Sequence, residues 1–258
     1  MVSKNKIKYI HSLELKKNRD ELGVFVAEGP KVVGDIMARH PNNLRMLVAT
    51  ESWMNANKDN CGNTDCEVII ADSRELSNAS FLCHPQHVIG VFEKLDTKQS
   101  KDCCRQDLTL VLDGVQDPGN MGTIVRIADW FGIENIVCSH DTVDIYNPKV
   151  VQATMGSIAR VNVAYTQLED FFCSLPKSTP VYGTLLDGEN MYASKLSADG
   201  VIIMGNEGKG ISHECRKYIT HALRIPNYPK NRETAESLNV AVATAVVCAE
   251  FRRSLMKP

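Results

Sequence analysis

The sequence predicts an α/β protein in two parts. A small mixed α/β domain covers residues 1–95, a linker covers 96–107, and a larger domain built on a parallel sheet covers 108–258. Three observations carry this reading. In the second part, short apolar runs alternate with stretches of helical spacing, the pattern of strands joined by helices on both faces of a sheet. Leu108–Leu112 is continuously apolar, as a strand buried on both faces must be. Asp96–Asp107, DTKQSKDCCRQD, is polar, highly charged and without apolar period, the composition of a linker or exposed loop. A chain of 258 residues has room for one large domain or two modest ones.

The elements follow in order. Val24–Ala27, Leu44–Ala49, Val68–Ala71 and Val88–Phe92 are short apolar runs that predict strands, with helix-like stretches such as Lys31–Arg39 between them. After Leu108–Leu112, the spacing of Met121–Phe131 predicts a helix, and Ile136–Cys138 predicts the next strand. Pro148–Arg160 reads as helical, with Pro148 near its start, where a missing N–H costs nothing. Val161–Tyr165, Val181–Leu186 and Val201–Met204 are further strands, Ile211–Ile219 a helix, and Leu223–Ile225 a short strand. Ser237–Leu255 closes the sequence as a long Ala/Val-rich helix.

Composition excludes several classes. Hydrophobic residues make up 43% and charged residues 23%, enough apolar matter for a core and against global disorder. No apolar run approaches the ~20 residues of a membrane span. The basic start, MVSKNKIKYIHSLELKKNRD, lacks the apolar core of a secretory signal. Nine cysteines contain no C-x-x-C pair, and Cys61/Cys66 have no matching ligands nearby, so free thiols in a reducing, cytoplasmic setting are expected. The net charge of −2 hides a segregation. Residues 1–19 carry six Lys/Arg against Glu14, and residues 208–258 carry nine against four acids. Basic ends of this kind can hold phosphates, or can be a solvated tail and an ordinary charged helix.

Several common signatures are absent. There is no G-x-G-x-x-G, and Gly205–Gly210 fails as a P-loop because Ile203 and Gly210 stand where Gly and Ser/Thr are needed. There is no G-x-S-x-G and no H-E-x-x-H. Three segments still bring Gly, Asn, Glu and Ser to strand ends, where open α/β sheets bind ligands. In residues 113–132, Gly119, Asn120 and Gly122 mark a strand-to-helix turn, and Arg126 lies on an otherwise apolar helix segment. That guanidinium needs a partner, either a ligand or a structural ion pair with Asp113 or Asp117. In residues 201–212, three glycines surround Glu207, which either orients a ligand group or stands solvated in a tight turn. In residues 235–247, Ser237 suits an N-cap and Asn239 falls in the first turn, a poor place for Asn.

Taken in series, these segments resemble the SpoU/TrmH family of RNA ribose 2′-O-methyltransferases, in the SPOUT superfamily. The match is carried by Asn120-x-Gly122-x-x-x-Arg126-x-Ala128, by Met204-Gly205-Asn206-Glu207-Gly208-x-Gly210-Ile211, and by Ile225-Pro226 followed by Ser237-Leu238-Asn239-Val240-Ala241-Val242-Ala243. Residues 12–33, SLELKKNRDELGVFVAEGPKVV, resemble the small substrate-binding domain that precedes many members. The resemblance implies an L30e-like N-terminal domain and a C-terminal SPOUT domain with a deep trefoil knot. It implies a homodimer formed through the first and last helices of the catalytic domain, and no membrane. Two departures stand out: the connection NYPKNRETAE over 227–236, and Ala241 where Ser is common.

The implied reaction is transfer of a methyl group from S-adenosyl-L-methionine to a ribose 2′-hydroxyl, most simply in ribosomal RNA. The resemblance makes Arg126, Asn120, Glu207, Ser237 and Asn239 catalytic. It places Thr184, Leu185, Met204, Gly205, Asn206, Gly208, Ile225, Pro226 and Leu238 at the cofactor. Lys16, Lys17, Arg19, Lys31, Lys230 and Arg232 are expected to meet RNA phosphates. No metal is implied, because a sulfonium is already an activated leaving group. A free arginine keeps its proton to about pH 12.5–13.8, so Arg126 is expected to orient the ribose or a phosphate and to act as base only if strongly perturbed. Other readings stay open at this point: a tRNA 2′-O-methyltransferase, a non-catalytic RNA-binding protein of the same fold, a base-modifying SPOUT enzyme, or a small-molecule α/β enzyme.

Overall fold

The computed structural model describes residues 2–57, 66–96, 107–229 and 235–255. It divides into two compact units. The first holds Met1–Asp96 together with Asp144–Arg160, and the second holds Thr97–Val143 and Val161–Pro258. The division at Asp96 lies at the start of the expected linker, most of which is outside the described residues. The sequence pattern places 144–160 in the second part, whereas the structure packs it into the first.

The first unit is built on a four-stranded sheet of β1 (Val24–Glu28), β2 (Leu44–Ala49), β3 (Glu67–Ile70) and β4 (Val88–Glu93), in the order β1-β4-β2-β3. β4 runs antiparallel to both neighbours, and β2 and β3 are parallel. All five residues of β1 are buried, so both faces of this strand are covered. One face packs on Ile10, Leu13, Leu76 and Ala79, from the helices Lys4–Ser12 and Ser73–Ala79 and the turn after the first. On the other, Phe25 meets Phe92 and Tyr146 at ring-centroid distances of 5.8 and 4.7 Å. The basic start of the sequence is therefore two ordered helices, Lys4–Ser12 and Lys16–Leu22, rather than a solvated tail.

One basic residue of that region overturns its expected role. Arg19 is only 1% exposed. Its Nη1 donates to the Leu13 and Glu14 carbonyls at 2.8 and 2.6 Å, and Nε and Nη2 donate to Asp144 Oδ2 at 3.2 and 2.7 Å. Burying a guanidinium is tolerable only when its donors are paired, and here they are paired inside the protein. Arg19 therefore pins residue 144 to the N-terminal helices and offers nothing to an RNA phosphate.

Glu28 is the other buried charge among the described residues of this unit. Its carboxylate accepts from Ser80 Oγ and from the Phe81 N–H. Burial nevertheless pushes its carboxyl above the ordinary value of 4.5. A carboxyl raised in the folded state keeps its proton there after the unfolded chain has lost it. Its stabilising contribution is therefore full below about pH 4.5 and declines as pH rises through the folded value. Glu28→Gln is expected to flatten that decline, read from urea midpoints between about pH 4 and 8. Identical pH slopes in the two proteins would show that another group carries the effect.

The second unit is a six-stranded, wholly parallel sheet. Its strands are β5 (Leu108–Asp113), β6 (Asn135–Cys138), β7 (Asn162–Tyr165), β8 (Val181–Asn190), β9 (Gly200–Gly205) and β10 (His221–Arg224), in the order β10-β8-β9-β5-β6-β7. β5 is central and buried at all six positions, as its uninterrupted apolar run requires. Val111, Val201 and Ile203 face a cluster with Leu168, Phe172, Ile211 and Cys215. Alternation turns Leu110, Leu112, Ile202 and Met204 to the opposite face. The helices Pro118–Trp130 and Val240–Leu255 pack against each other, and Phe251 meets Tyr182 edge-on at 4.8 Å.

Three expected elements are shorter or longer than their patterns. The helix at Pro148 ends at Ala153, because Met155 and Gly156 take φ of 49° and 92°. A side chain at Gly156 would lie 2.4 Å from the Asp35 carboxylate. Of Ile211–Ile219, only His213–Arg216 is α-helical, capped by Ser212. β8 extends to Asn190 instead of ending at Leu186, and it does so irregularly. β10 pairs with Tyr182 and Gly183, then with Glu189 and Asn190, so Thr184–Gly188 leave the ladder between them. Among the described residues, no helix is long and apolar enough to cross a membrane.

Candidate active site at the carboxyl edge of the parallel sheet

Adjacent strands β5 and β9 end side by side, with Asp113 opposite Gly205. The chain leaves β5 through Gly114, at φ 72°, and enters the helix Pro118–Trp130. Asp117 caps this helix by accepting from the Asn120 N–H at 2.8 Å, and Pro118 takes the first position. Asn120 thus stands in the first helical turn, while Gly122 is buried inside the helix rather than in the turn before it.

Asn120 joins the three sequence segments. Its Nδ2 donates to Glu207 Oε1 at 2.9 Å, and its Oδ1 accepts from Asn239 Nδ2 at 2.9 Å. Asn239 Oδ1 accepts from the Ala241 and Val242 N–H groups at 3.0 and 3.2 Å. Those backbone donors fix which end of the Asn239 amide is oxygen. That choice fixes Asn120 in turn, and leaves Glu207 as the final acceptor. The result is a directed chain of hydrogen bonds from a helix N-terminus to a carboxylate.

This geometry corrects the reading of the last helix. Asn239, not Ser237, caps it, and the helix runs Val240–Leu255. Asn is poor inside a helix but among the best N-caps, which removes the difficulty its position posed. Ser237 lies two residues upstream and is exposed.

The loop bearing Glu207 is held by its neighbours. Asn206 and Gly210 exchange backbone hydrogen bonds at 3.0 and 2.8 Å. Asn206 Oδ1 accepts from the Gly208 and Lys209 N–H groups, and its Nδ2 donates to the Gly114 carbonyl at 2.7 Å. The Asn206 side chain is thus spent on the loop and on tying it to β5. Gly205 is obligatory, because a Cβ there would sit 2.3 Å from the Gly210 carbonyl carbon.

Arg126 lies six residues after Asn120 on the same helix, the two directions about 120° apart round its axis. It is exposed, and among the described residues no hydrogen bond or ion pair engages its guanidinium. The two candidate structural partners are otherwise occupied: Asp113 accepts from the Ser212 N–H at 2.7 Å, and Asp117 caps the helix. The structure therefore brings Asn120, Glu207 and Asn239 together and leaves Arg126 and Ser237 outside that hydrogen-bonded set.

The expected cofactor residues gather at neighbouring strand ends. Thr184 and Leu185 begin the excursion from β8, Met204 and Gly205 end β9, and Ile225 and Pro226 follow β10. Thr184 Oγ1 donates to the Ile203 carbonyl at 3.0 Å and lies 3.7 Å from Met204 Sδ. At Gly188 a Cβ would come within 2.6 Å of the Leu223 carbonyl carbon, so the excursion returns with backbone against backbone. Leu185, Ile225 and Pro226 are half-buried, and Leu238 is 51% exposed. Gly208 lies in the exposed loop beyond.

Of the expected RNA-contacting residues, Lys16 and Lys17 are exposed. Lys31 pairs with Asp35 at 2.6 Å but remains largely exposed. Lys230 and Arg232 lie outside the described residues. Sequence reasoning missed the supports of the site: Asp113 holding Ser212, and Ser139 Oγ accepting from the Gly114 N–H at 2.9 Å while donating to Asp141 Oδ1 at 2.5 Å. The available signal was a polar residue at the end of each apolar strand run, Asp113 after LTLVL and Ser139 after NIVC.

Comparison with known proteins identifies the family. Residues 107–249 match the SpoU rRNA Methylase family, and residues 4–90 match the MRM3-like substrate binding domain. The 23S rRNA (guanosine(2553)-2'-O)-methyltransferase RlmP of Bacillus subtilis is 29% identical over 253 residues, 96% of each chain. An AdoMet-bound rRNA methyltransferase from Sinorhizobium meliloti is 30% identical, with TM-score 0.88 over 100% of this chain and 98% of that one. A TrmH-family chain from Porphyromonas gingivalis is 37% identical, with TM-score 0.82 over 98% of this chain and 99% of its own. The chain therefore belongs to the SpoU rRNA methylase family.

Proposed function

We propose that this protein methylates a ribose 2′-hydroxyl of ribosomal RNA, using S-adenosyl-L-methionine. The observation that carries the reading is the hydrogen-bonded chain Asn239–Asn120–Glu207, with Arg126 on the Asn120 helix and unengaged among the described residues. The cofactor fits the donor set at the ends of β8, β9 and β10. Half-buried apolar groups, Leu185, Ile225 and Pro226, suit an adenosyl moiety. When bound, it supplies a methyl group on a sulfonium, which leaves a neutral thioether.

The chain's own residues hold the acceptor. Glu207 Oε1 is tied to Asn120, and Oε2 is left to take the hydrogen bond, then the proton, of the 2′-hydroxyl as the O–C bond forms. A guanidinium has donors and no acceptor, so Arg126 holds the ribose or the adjoining phosphate in line. Ser237 flanks the same helix start and contributes a hydroxyl to the acceptor's position. Lys16, Lys17 and Lys31 supply salt-sensitive phosphate contacts. The knotted passage implied by the resemblance remains part of this reading, and the Thr184–Gly188 excursion beside β10 supports it. A cytoplasmic setting fits the free thiols of Cys83, Cys138, Cys173, Cys215 and Cys248.

The test is transfer of labelled methyl groups to unmodified ribosomal and transfer RNA, followed by nucleoside analysis. A 2′-O-methylnucleoside in ribosomal RNA is the expected result. Label only in transfer RNA would move the substrate class, and a base-methylated product would overturn the mechanism.

The homodimer is proposed on exposed apolar surface. Trp130 is 85% exposed at the end of the first catalytic-domain helix, and Val242 and Leu255 are about half exposed on the last. The two helices are joined where Arg252 donates to the Phe131 and Gly132 carbonyls. Trp130→Ala is expected to weaken dimerisation about 30-fold, the effect of losing an aromatic anchor of roughly 2 kcal/mol. Sedimentation equilibrium checks this, and an unchanged dimer constant would place the interface elsewhere.

A further inference from the structure

The first unit contains a cavity of about 280 Å³ that the reaction does not use. It is lined by β1, through Val26 and Glu28, by Phe81 and Leu82, and by the helix Pro148–Ala153. Its size lies near the lower end for small-molecule sites, about 300–1,000 Å³, and suits one flat ring system. The walls are mostly apolar, with one carboxylate, the Gln152 amide and the Lys149 ammonium as their polar side chains. Glu28 is 5% exposed, and its two oxygens already accept one hydrogen bond each, from Ser80 Oγ and the Phe81 N–H. Those bonds fix the plane of the carboxylate, and each oxygen keeps a second lone pair. The Phe81 ring is itself buttressed by His11, at 5.5 Å between centroids. Lys149 lines the same cavity and is exposed.

We propose that this cavity holds an unstacked guanine base of the RNA substrate, read by Glu28. The inference rests on RNA being the substrate, as argued above. Single-stranded RNA is recognised by splaying a base against an aromatic ring and hydrogen-bonding its edge. A carboxylate has only acceptors, so it needs a base edge with adjacent donors. Guanine offers two, N1–H and N2–H₂. Adenine, cytosine and uracil each set an acceptor beside their donor, which a carboxylate repels. Phe81 and Leu82 supply apolar contact to the ring, and Lys149 supplies a cation for the attached phosphate. The site lies in the part of the chain that matches a substrate-binding domain, completed by residues 148–153 from further along the sequence.

The experiment titrates the full-length protein with GMP, AMP, CMP and UMP, followed by methyl NMR of Val26, Leu82 and Ala153. GMP is expected to shift all three signals, and to bind about ten-fold or more tightly than the other nucleotides. Glu28→Gln should remove that preference. Ala153→Trp, which fills the cavity and leaves Glu28 in the sequence, should remove binding altogether and serves if the first variant does not fold. Equal binding of all four nucleotides, no shift with GMP, or wild-type GMP binding by both variants would overturn the proposal. In methyl transfer to ribosomal RNA, Glu28→Gln should raise KM about ten-fold with kcat retained. A wild-type protein that binds GMP at this cavity but transfers no methyl group would overturn the proposed function and leave this site standing.

Discussion

Arg126→Ala is expected to lower kcat for methyl transfer about 100- to 1,000-fold while leaving the Kd for S-adenosylmethionine within about two-fold. The expectation follows from what surrounds the side chain. A guanidinium that served the fold would be paired, and this one has no partner among the described residues. Its nearest candidates, Asp113 and Asp117, are committed to Ser212 and to the helix cap. Removing it therefore costs the fold little and costs the reaction an oriented cation. Arg126→Lys should recover only part of the loss, because an ammonium keeps the charge but not the planar fork that fixes a phosphate or ribose in one orientation. Single-turnover kinetics gives the chemical step, and calorimetry of cofactor binding gives the control. Near-normal turnover in the Ala variant would sink the assignment, and a lost cofactor affinity would move Arg126 to the cofactor pocket instead.

The contrast between Arg126 and Arg19 shows what a sequence can and cannot disclose. Both stand among helical residues, and charge alone cannot tell a ligand-facing guanidinium from a buried one. Arg19 sits in the run KKNRD, which reads as a basic surface. What buries it is Asp144, a partner 125 residues away. The same long-range packing takes residues 144–160 into the first unit, and it has no local signature. By contrast, β5 and β9 were legible because a parallel strand buried on both faces must be apolar throughout. The glycine loop at 205–210 was legible because close backbone approach leaves no alternative to Gly at position 205. Asn239 was visible as an anomaly, an Asn in an apparent first turn, but its role as the cap emerges only when the helix start is seen at Val240. The excursion at Thr184–Gly188 was hidden because Thr184, Leu185 and Leu186 keep the composition of a strand where the chain leaves the ladder.

Arg19→Ala is expected to destabilise the protein by about 3–5 kcal/mol, the cost of stranding one member of a buried ion pair. The guanidinium makes four hydrogen bonds, two to carbonyls of the preceding turn and two to one oxygen of Asp144. The Asp144 side chain is 11% exposed and, among the described residues, would keep only the Tyr146 N–H as donor. Arg19→Lys should rescue little, because one ammonium cannot reach both carbonyls and the carboxylate at the fork's spacing. Urea unfolding of the full-length protein reads the loss as a shift in midpoint at constant m. The salt dependence of RNA binding then separates this residue from its neighbours. Removing one cation that neutralises a phosphate makes the slope of log K against log salt shallower by about 0.7–0.9. Replacing Lys16 and Lys17 together should make that slope shallower, since both are exposed. Arg19→Ala, measured where it is folded, should leave the slope unchanged, because the native side chain meets no phosphate. A slope made shallower in Arg19→Ala by the amount expected for one phosphate would mean that the Asp144 pair opens to receive RNA, and that the buried arginine is a binding residue held in reserve.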